Sequence, residues 1–239
     1  MKKTLIVTGI ACSMFSNMLL AYNESDKSTL LSTKQCINCD LQDYKTMKED
    51  FNFFVDDIKV SGSNLTNAEM SYTMASNLDF SNTNLTESYT EIYTYNPISI
   101  NFSIANFTNA TLLGHITNAD FKGANFNNLN INYVHEYSHV PLHISKSDFS
   151  SAKFIGANLS HVFFEESDFT GADFTNANLN GADFEGCLVS VEQLEQAKDI
   201  CNLTLPDGDT VVARYIDGAI KMCKGYKIGD ENKKFRTAV

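Results

Sequence analysis

Residues 147–186 read SDFSS AKFIG ANLSH VFFEE SDFTG ADFTN ANLNG ADFEG, and every block of five carries a large apolar residue at its centre. The centres are Phe149, Phe154, Leu159, Phe164, Phe169, Phe174, Leu179 and Phe184. A period of five matches neither the 3.6-residue repeat of a helix nor the two-residue alternation of a strand. A small residue recurs two places before the centre, as Ala152, Ala157, Ala172, Ala177 and Ala182, and Asp or Asn usually stands between the two. Internal repeats of this kind decide architecture before any local propensity does.

The same beat runs upstream, through Ile116, Phe121, Phe126 and Ile131, through Phe102, Phe107 and Leu112, and more loosely through Val60, Leu65, Met70, Ala75, Phe80 and Leu85. Its register slips between these runs. The step from Leu112 to Ile116 is one residue short, Glu87 to Ile100 is ambiguous, and an insertion separates Ile131 from Ile144.

Blocks such as ADFTN, ANLNG and ADFEG resemble those of the pentapeptide repeat proteins, whose pattern is A-(D/N)-(L/F)-x-x, over roughly residues 58 to 189. The flanking segments CINCDL and SVEQLEQAKDICNLTLPDG are also similar to those around such repeats. The resemblance implies an all-β fold, a right-handed quadrilateral parallel β-helix with short helical caps. One pentapeptide would form one side and about twenty residues one coil. Central and small residues would point inward, and the other three outward.

That geometry makes demands the sequence meets. Residues one coil apart stack at about the 4.8 Å separation of adjacent strands. Phe149 then falls under Phe169, Phe154 under Phe174, Leu159 under Leu179, and Ile144 under Phe164 and Phe184. Ser147, Ser167 and Cys187 share a small-residue column. No charged residue enters either inward column after residue 142, as expected where an unpaired buried charge would be costly.

Open sheet edges at both ends need covers. Ser190 to Gln193 has capping-box spacing and predicts a helix over 191–199, with Leu194 and Ala197 against the last coil. Val211 to Ile216 followed by Asp217-Gly218 suggests a hairpin in the tail. Leu41, Tyr44, Met47, Phe51, Phe54 and Ile58 recur at helical spacing, which fits an amphipathic cap helix; a degenerate first coil is the alternative.

The chain has 239 residues and a net charge of -11, which argues against nucleic acid as a partner because phosphate binding needs clustered Lys and Arg. Met1-Lys2-Lys3 followed by the apolar run Leu5 to Leu20 resembles an export signal, with cleavage expected after Ala21. Lipoprotein processing at Cys12 is the competing reading, and Gly9-Ile10-Ala11 lacks the leucine usual before such a cysteine. The domain plan is therefore a signal peptide at 1–21, an extension and cap at 22–57, the repeat at 58–189 and a capping tail at 190–239. The expected location is periplasmic or secreted, without a membrane span after cleavage. In that compartment Cys36 with Cys39 and Cys201 with Cys223 are candidate disulfides.

Two surface features invite functional readings. Within VHEYSH at residues 134–139, His135, Glu136 and His139 match H-E-x-x-H, the zinc peptidase pattern in which a helix sets two imidazoles on one face. Here the motif lies in a loop insertion at 132–143 with Pro141 close behind, and the apolar helix peptidases bury around it is missing. A metal site without proteolysis would draw on His135, His139 and Glu165, with zinc as the ion; His143 would lie over Phe163, and His161 near the next corner. The second feature is an acidic face of Glu165, Glu166, Asp183 and Glu185, with Asp148 stacked near Asp168. The resemblance extends to a branch that mimics duplex DNA and binds type II topoisomerases, but an export signal argues against it.

Asn-x-Ser/Thr recurs at Asn64, Asn84, Asn106 and Asn158 as outward polar positions of the repeat. No phosphate loop, nucleophile elbow or paired-carboxylate signature stands out. The expectation is a non-catalytic module with no cofactor. It would bind a protein partner through its rigid wall, with a homodimer through a solenoid end as a further option.

Overall fold

A computed structural model of the chain describes residues 23–44, 57–73, 77–94, 99–131 and 142–211, with backbone alone at 71–73, 214–216 and 219–221. The elements in chain order are α1 (Glu24–Thr33), β1 (Glu69–Thr73), β2 (Leu78–Asp79), β3 (Tyr89–Tyr93), β4 (Ile100–Asn101), β5 (Thr111–Thr117), β6 (Ala119–Asp120), β7 (His143–Ser145), β8 (Phe163–Glu165), α2 (Val191–Leu194), β9 (Arg214–Ile216) and β10 (Ala219–Lys221). They wind into a parallel β-solenoid. One wall is a five-stranded sheet in the order β1-β3-β5-β7-β8, and an adjoining wall carries the three strands β2-β4-β6. Single parallel bridges build the rest, such as Asn64 to Asn84 to Asn106 to Asn125 and Asn158 to Asn178.

The pentapeptide spells out one side and one corner. The amide of Ala152 donates to the carbonyl of Phe149 at 3.0 Å, and Ala157 to Phe154 likewise at 3.0 Å, so the central residue closes a tight turn with the next small residue. The residue before each small one takes positive φ, as at Ser151, Gly156, His161, Glu166, Gly171 and Asn176. A type II turn demands this of its third residue, which is why Gly and Asn recur there. Between coils, the amide of Phe149 donates to the carbonyl of Asp168 at 2.7 Å, and the amide of Asp168 to the carbonyl of Ser147 at 2.9 Å.

The interior is a stack of phenylalanines. Phe80, Phe102, Phe121, Phe149 and Phe169 form one column with centroids 4.7 to 5.1 Å apart. Phe107, Phe126, Phe154 and Phe174 form a second, at 4.9 to 5.1 Å. Phe121 and Phe149 belong to a coil lengthened to 28 residues, and they still stack 4.7 Å apart. The added residues therefore leave the column intact. Small polar residues in the interior bond to the wall's own carbonyls: Ser63 Oγ to Cys36 at 2.8 Å, Ser147 Oγ to Ser145 at 2.9 Å and Ser167 Oγ to Glu165 at 3.1 Å.

Both ends differ from expectation. The N-terminal cover is α1, whose N-cap Asn23 accepts from the Ser25 amide and whose Leu30 is buried. Gln35 and Asp40 already pair in parallel with Lys59 and Asn64, so the wall begins upstream of the expected boundary at 58. Leu41 and Tyr44 are buried in that first coil rather than in a cap helix; residues 45–56 lie outside the described residues. At the other end the capping box of Ser190 and Gln193 is present, but α2 stops at Leu194 instead of reaching 199. Asp199 and Thr204 then pair with Asn178 and Asp183, so the wall runs on past 189. The expected tail hairpin is found as the antiparallel pair of β9 and β10.

Candidate functional site

Outward positions of a solenoid meet water and are ordinarily polar. On the five-stranded wall one outward column departs from this. Parallel pairing sets Tyr93 beside His115, His115 beside His143, and His143 beside Phe163, all in register. Their rings make one column up the outside, with centroid separations of 6.0, 5.4 and 6.0 Å. Phe163 is 37% exposed, a large apolar side chain open to solvent. Above it Glu91 accepts from the hydroxyl of Tyr93 at 3.0 Å and from that of Tyr89 at 3.4 Å.

Electrostatics concentrates around the two imidazoles. Burial holds the pKa of His115 below its usual value, and the neighbouring His143 pushes it the same way. Nε2 of His143 lies 3.4 Å from Oε2 of Glu165, near enough for an ion pair yet out of line for a hydrogen bond. That nitrogen is shut off from water and has no hydrogen-bond partner, although the side chain as a whole is 33% exposed.

The acidic residues share this wall and its corner. Ser145 pairs with Glu165 and Phe163 with Asp183, and the amide of Glu166 donates to the carbonyl of Glu185. Part of that charge is employed locally. Asp183 accepts from the Glu185 amide at 2.9 Å, and Glu166 faces Lys146 at 3.8 Å with both groups exposed. Asp148 pairs with Asp168, and each accepts the amide two residues on, at 2.7 and 2.8 Å.

The repeating corner, the paired walls and the inward phenylalanines agree with a family model of pentapeptide repeats, which matches in eight copies over residues 58–87 and 147–186. The chain is a pentapeptide repeat protein. Among solved structures, this pentapeptide repeat protein is similar to HetL, a pentapeptide repeat protein involved in heterocyst differentiation regulation from the cyanobacterium Nostoc sp. strain PCC 7120. The two are 13% identical over 77% of this chain and 96% of that one, with a TM-score of 0.28. Full-length QnrB1, a plasmid-mediated fluoroquinolone resistance protein, is 14% identical over 66% of this chain and 89% of its own, with a TM-score of 0.29. Rfr23 from the cyanobacterium Cyanothece 51142 is 18% identical over 73% and 89%, with a TM-score of 0.24. No curated protein matches the chain.

The residues expected to hold metal divide three ways in this pentapeptide repeat protein. Glu165 stands beside His143, as the stacking rule requires. His161 turns away at a positive-φ corner and covers Gly181, where an added methyl would come 2.5 Å from its Nδ1. His135 and His139 lie outside the described residues. His115 was not anticipated, because a twenty-residue spacing pairs it with position 135 rather than with His143. Among the described residues, one group of three potential ligands has all its donor atoms within 4.8 Å, namely Asp26, Cys36 and Cys39. Its two cysteines are joined in a disulfide. Cys201 is likewise disulfide-bonded; its expected partner Cys223 lies outside the described residues.

The Asn-x-Thr triplets do more than face outward. The side-chain amide of Asn84 donates to Thr66 Oγ1 at 2.9 Å, that of Asn106 to Thr86 Oγ1 at 3.0 Å and that of Asn125 to Thr108 Oγ1 at 3.0 Å. A side-chain ladder thus reinforces the backbone bridges on that wall.

Proposed function

We propose that this pentapeptide repeat protein is an exported, non-catalytic binding module that grips a protein partner through its five-stranded wall. One observation carries the reading: the outward column Tyr93, His115, His143 and Phe163, set beside a wall whose equivalent positions are Asn, Asp and Lys. Aromatic groups held rigidly on a flat surface are what interface hot spots are made of. A solenoid wall loses little conformational entropy on binding. Glu91 and Glu165 beside the column, with the net charge of -11, favour a partner with basic groups around an apolar centre. The export half of the reading rests on the charged start and apolar run of residues 1–21.

A photo-crosslinking residue at position 163, compared with one at 153 on the adjoining polar wall, tests the binding half in the native host. A discrete adduct at 163 that is absent at 153 supports the wall. Adducts of equal yield at both positions, or none at either, defeat it. Terminal sequencing of the mature protein tests the export half, with Tyr22 expected as the first residue. A chain beginning at Met1 in the cytoplasm, inhibiting a type II topoisomerase, would replace this reading with the acidic-mimic one.

A further inference from the structure

We propose that His115, His143 and Glu165 form a binding site for a divalent transition-metal ion, with zinc as the natural probe, on the outer wall. The site lies on the same wall as the protein-binding column and shares His115, His143 and Glu165 with it, but it rests on neither that reading nor the H-E-x-x-H segment.

Three features converge on it. β5 and β7 run parallel in register and make His115 and His143 direct Cα partners, so the backbone fixes two imidazoles one strand spacing apart on the same face. Their rings stand 5.4 Å apart between centroids at 62°, an edge-to-face arrangement. Sharing a zinc ion requires each ring nitrogen within about 2.0–2.1 Å of it. The donor atoms of His115, His143 and Glu165 do not all lie within 4.8 Å of one another in this structure, so shared binding requires these partly exposed side chains to change rotamer while the strands keep their register.

The second feature is chemical. Nε2 of His143 is closed to water and bonds to nothing, which costs free energy in a folded protein. A cation beside it would take up the nitrogen's lone pair and the Glu165 carboxylate together, since Oε2 is already 3.4 Å away. Two imidazoles and one carboxylate are a donor set suited to zinc, nickel or copper. The third feature is the field: the chain's net charge of -11 raises the local concentration of cations. Water, or a side chain from a partner, would complete the coordination.

A column of stacked rings with no metal is the competing account, and phenylalanine separates the two. His115→Phe and His143→Phe keep an aromatic ring in the column and remove the ligand; Glu165→Gln alters an exposed side chain with little risk to folding. Zinc binding is measured by titration calorimetry on untagged protein for the wild type, these three variants and a His135→Ala/His139→Ala double variant, with circular dichroism as a check on folding. Stoichiometric binding is expected in the wild type and in the loop double variant. Either phenylalanine variant should weaken it by at least the 10–100-fold that losing even an outer-shell partner costs. Glu165→Gln should weaken it as well, and this arm decides the matter if a histidine variant fails to fold. No binding in the wild type, binding lost only in the loop variant, or binding unchanged by Glu165→Gln and the phenylalanine variants overturns the site.

Discussion

Phe149 and Phe169 lie with their ring centroids 4.8 Å apart and their planes only 2° from parallel, although twenty residues of chain separate them. The spacing is set by the strands on the wall behind them. Phe121 stacks on the other face of Phe149 at 4.7 Å and 3°, so the ring is sandwiched. Removing it empties the column from both sides. Phe149→Ala is expected to cost about 3–5 kcal/mol and Phe149→Leu clearly less, measured by urea unfolding. Because coils are stabilised mainly by their neighbours, the loss should appear in the cooperativity of the transition as well as its midpoint.

Gly114 carries the sharpest backbone demand in the wall. Its φ is +117°, and an added methyl would collide with the carbonyl oxygen of Ile92 on the strand above. Gly171 also has positive φ, at +72°, but its nearest neighbour would be a serine hydroxyl at 3.7 Å. Gly171→Ala should therefore cost about 1–2 kcal/mol, the ordinary price of a left-handed alanine. Gly114→Ala should cost distinctly more, because backbone cannot step aside. Thermal melts of the two variants side by side give the comparison.

Those two positions also mark how far the sequence could be read. The Phe149 column was legible because a period of five, plus strand spacing, leaves only one register that buries no charge. Gly114 sits where the beat slipped between Leu112 and Ile116. The slip is absorbed by β3 and β5 pairing residue for residue at an offset of 22, with Gly114 against Ile92, a contact no periodicity announces. His115 was lost to the same cause: unequal coils carry it to His143. The helix α1 was missed because only Leu30 of its ten residues is buried, so it has no apolar stripe to find. The return of the chain to the wall at 199–204 left a signal that went unused, since Ile200 and Leu205 are five apart and both buried.

Gln193 is the hinge of the C-terminal cover. Its Oε1 accepts from the Ser190 amide at 3.0 Å, completing the capping box. Its Nε2 donates to the carbonyls of Phe169 and Ala172, each at 2.8 Å, tying α2 to the last full coil, where the Phe169 carbonyl also accepts from the Ala172 amide. Gln193→Ala removes all three bonds, and about 1–3 kcal/mol is expected, chiefly from the Ala172 carbonyl and the Ser190 amide that lose this partner. Gln193→Glu keeps the acceptor but turns a carboxylate toward two carbonyl oxygens, and should be the worse of the pair. Hydrogen exchange would show the change as faster opening at 190–211 with the middle coils unaffected.

Cys187 ends the small-residue column that begins with Ser147 and Ser167, and its thiol donates to the carbonyl of Phe164. Burial is the main cause that pushes its pKa up from 9.0 to about 11, and the carboxylates of Asp183 and Glu165 add to it against a lowering contact from Ser167. In the folded chain the thiol holds its proton at a pH where the unfolded chain has released it. The contribution to stability is therefore complete below about pH 9, declines as the unfolded state ionises, and stops declining near pH 11. Cys187→Ala lacks this titration. Urea unfolding at pH 8 and again at pH 10.5 should show the wild type's advantage over Cys187→Ala shrinking at the higher pH. A gap that stays constant would mean that the thiol is as solvated in the native solenoid as in the unfolded chain. Iodoacetamide provides an independent check: the native thiol should resist it at pH 8 and react once urea opens the column.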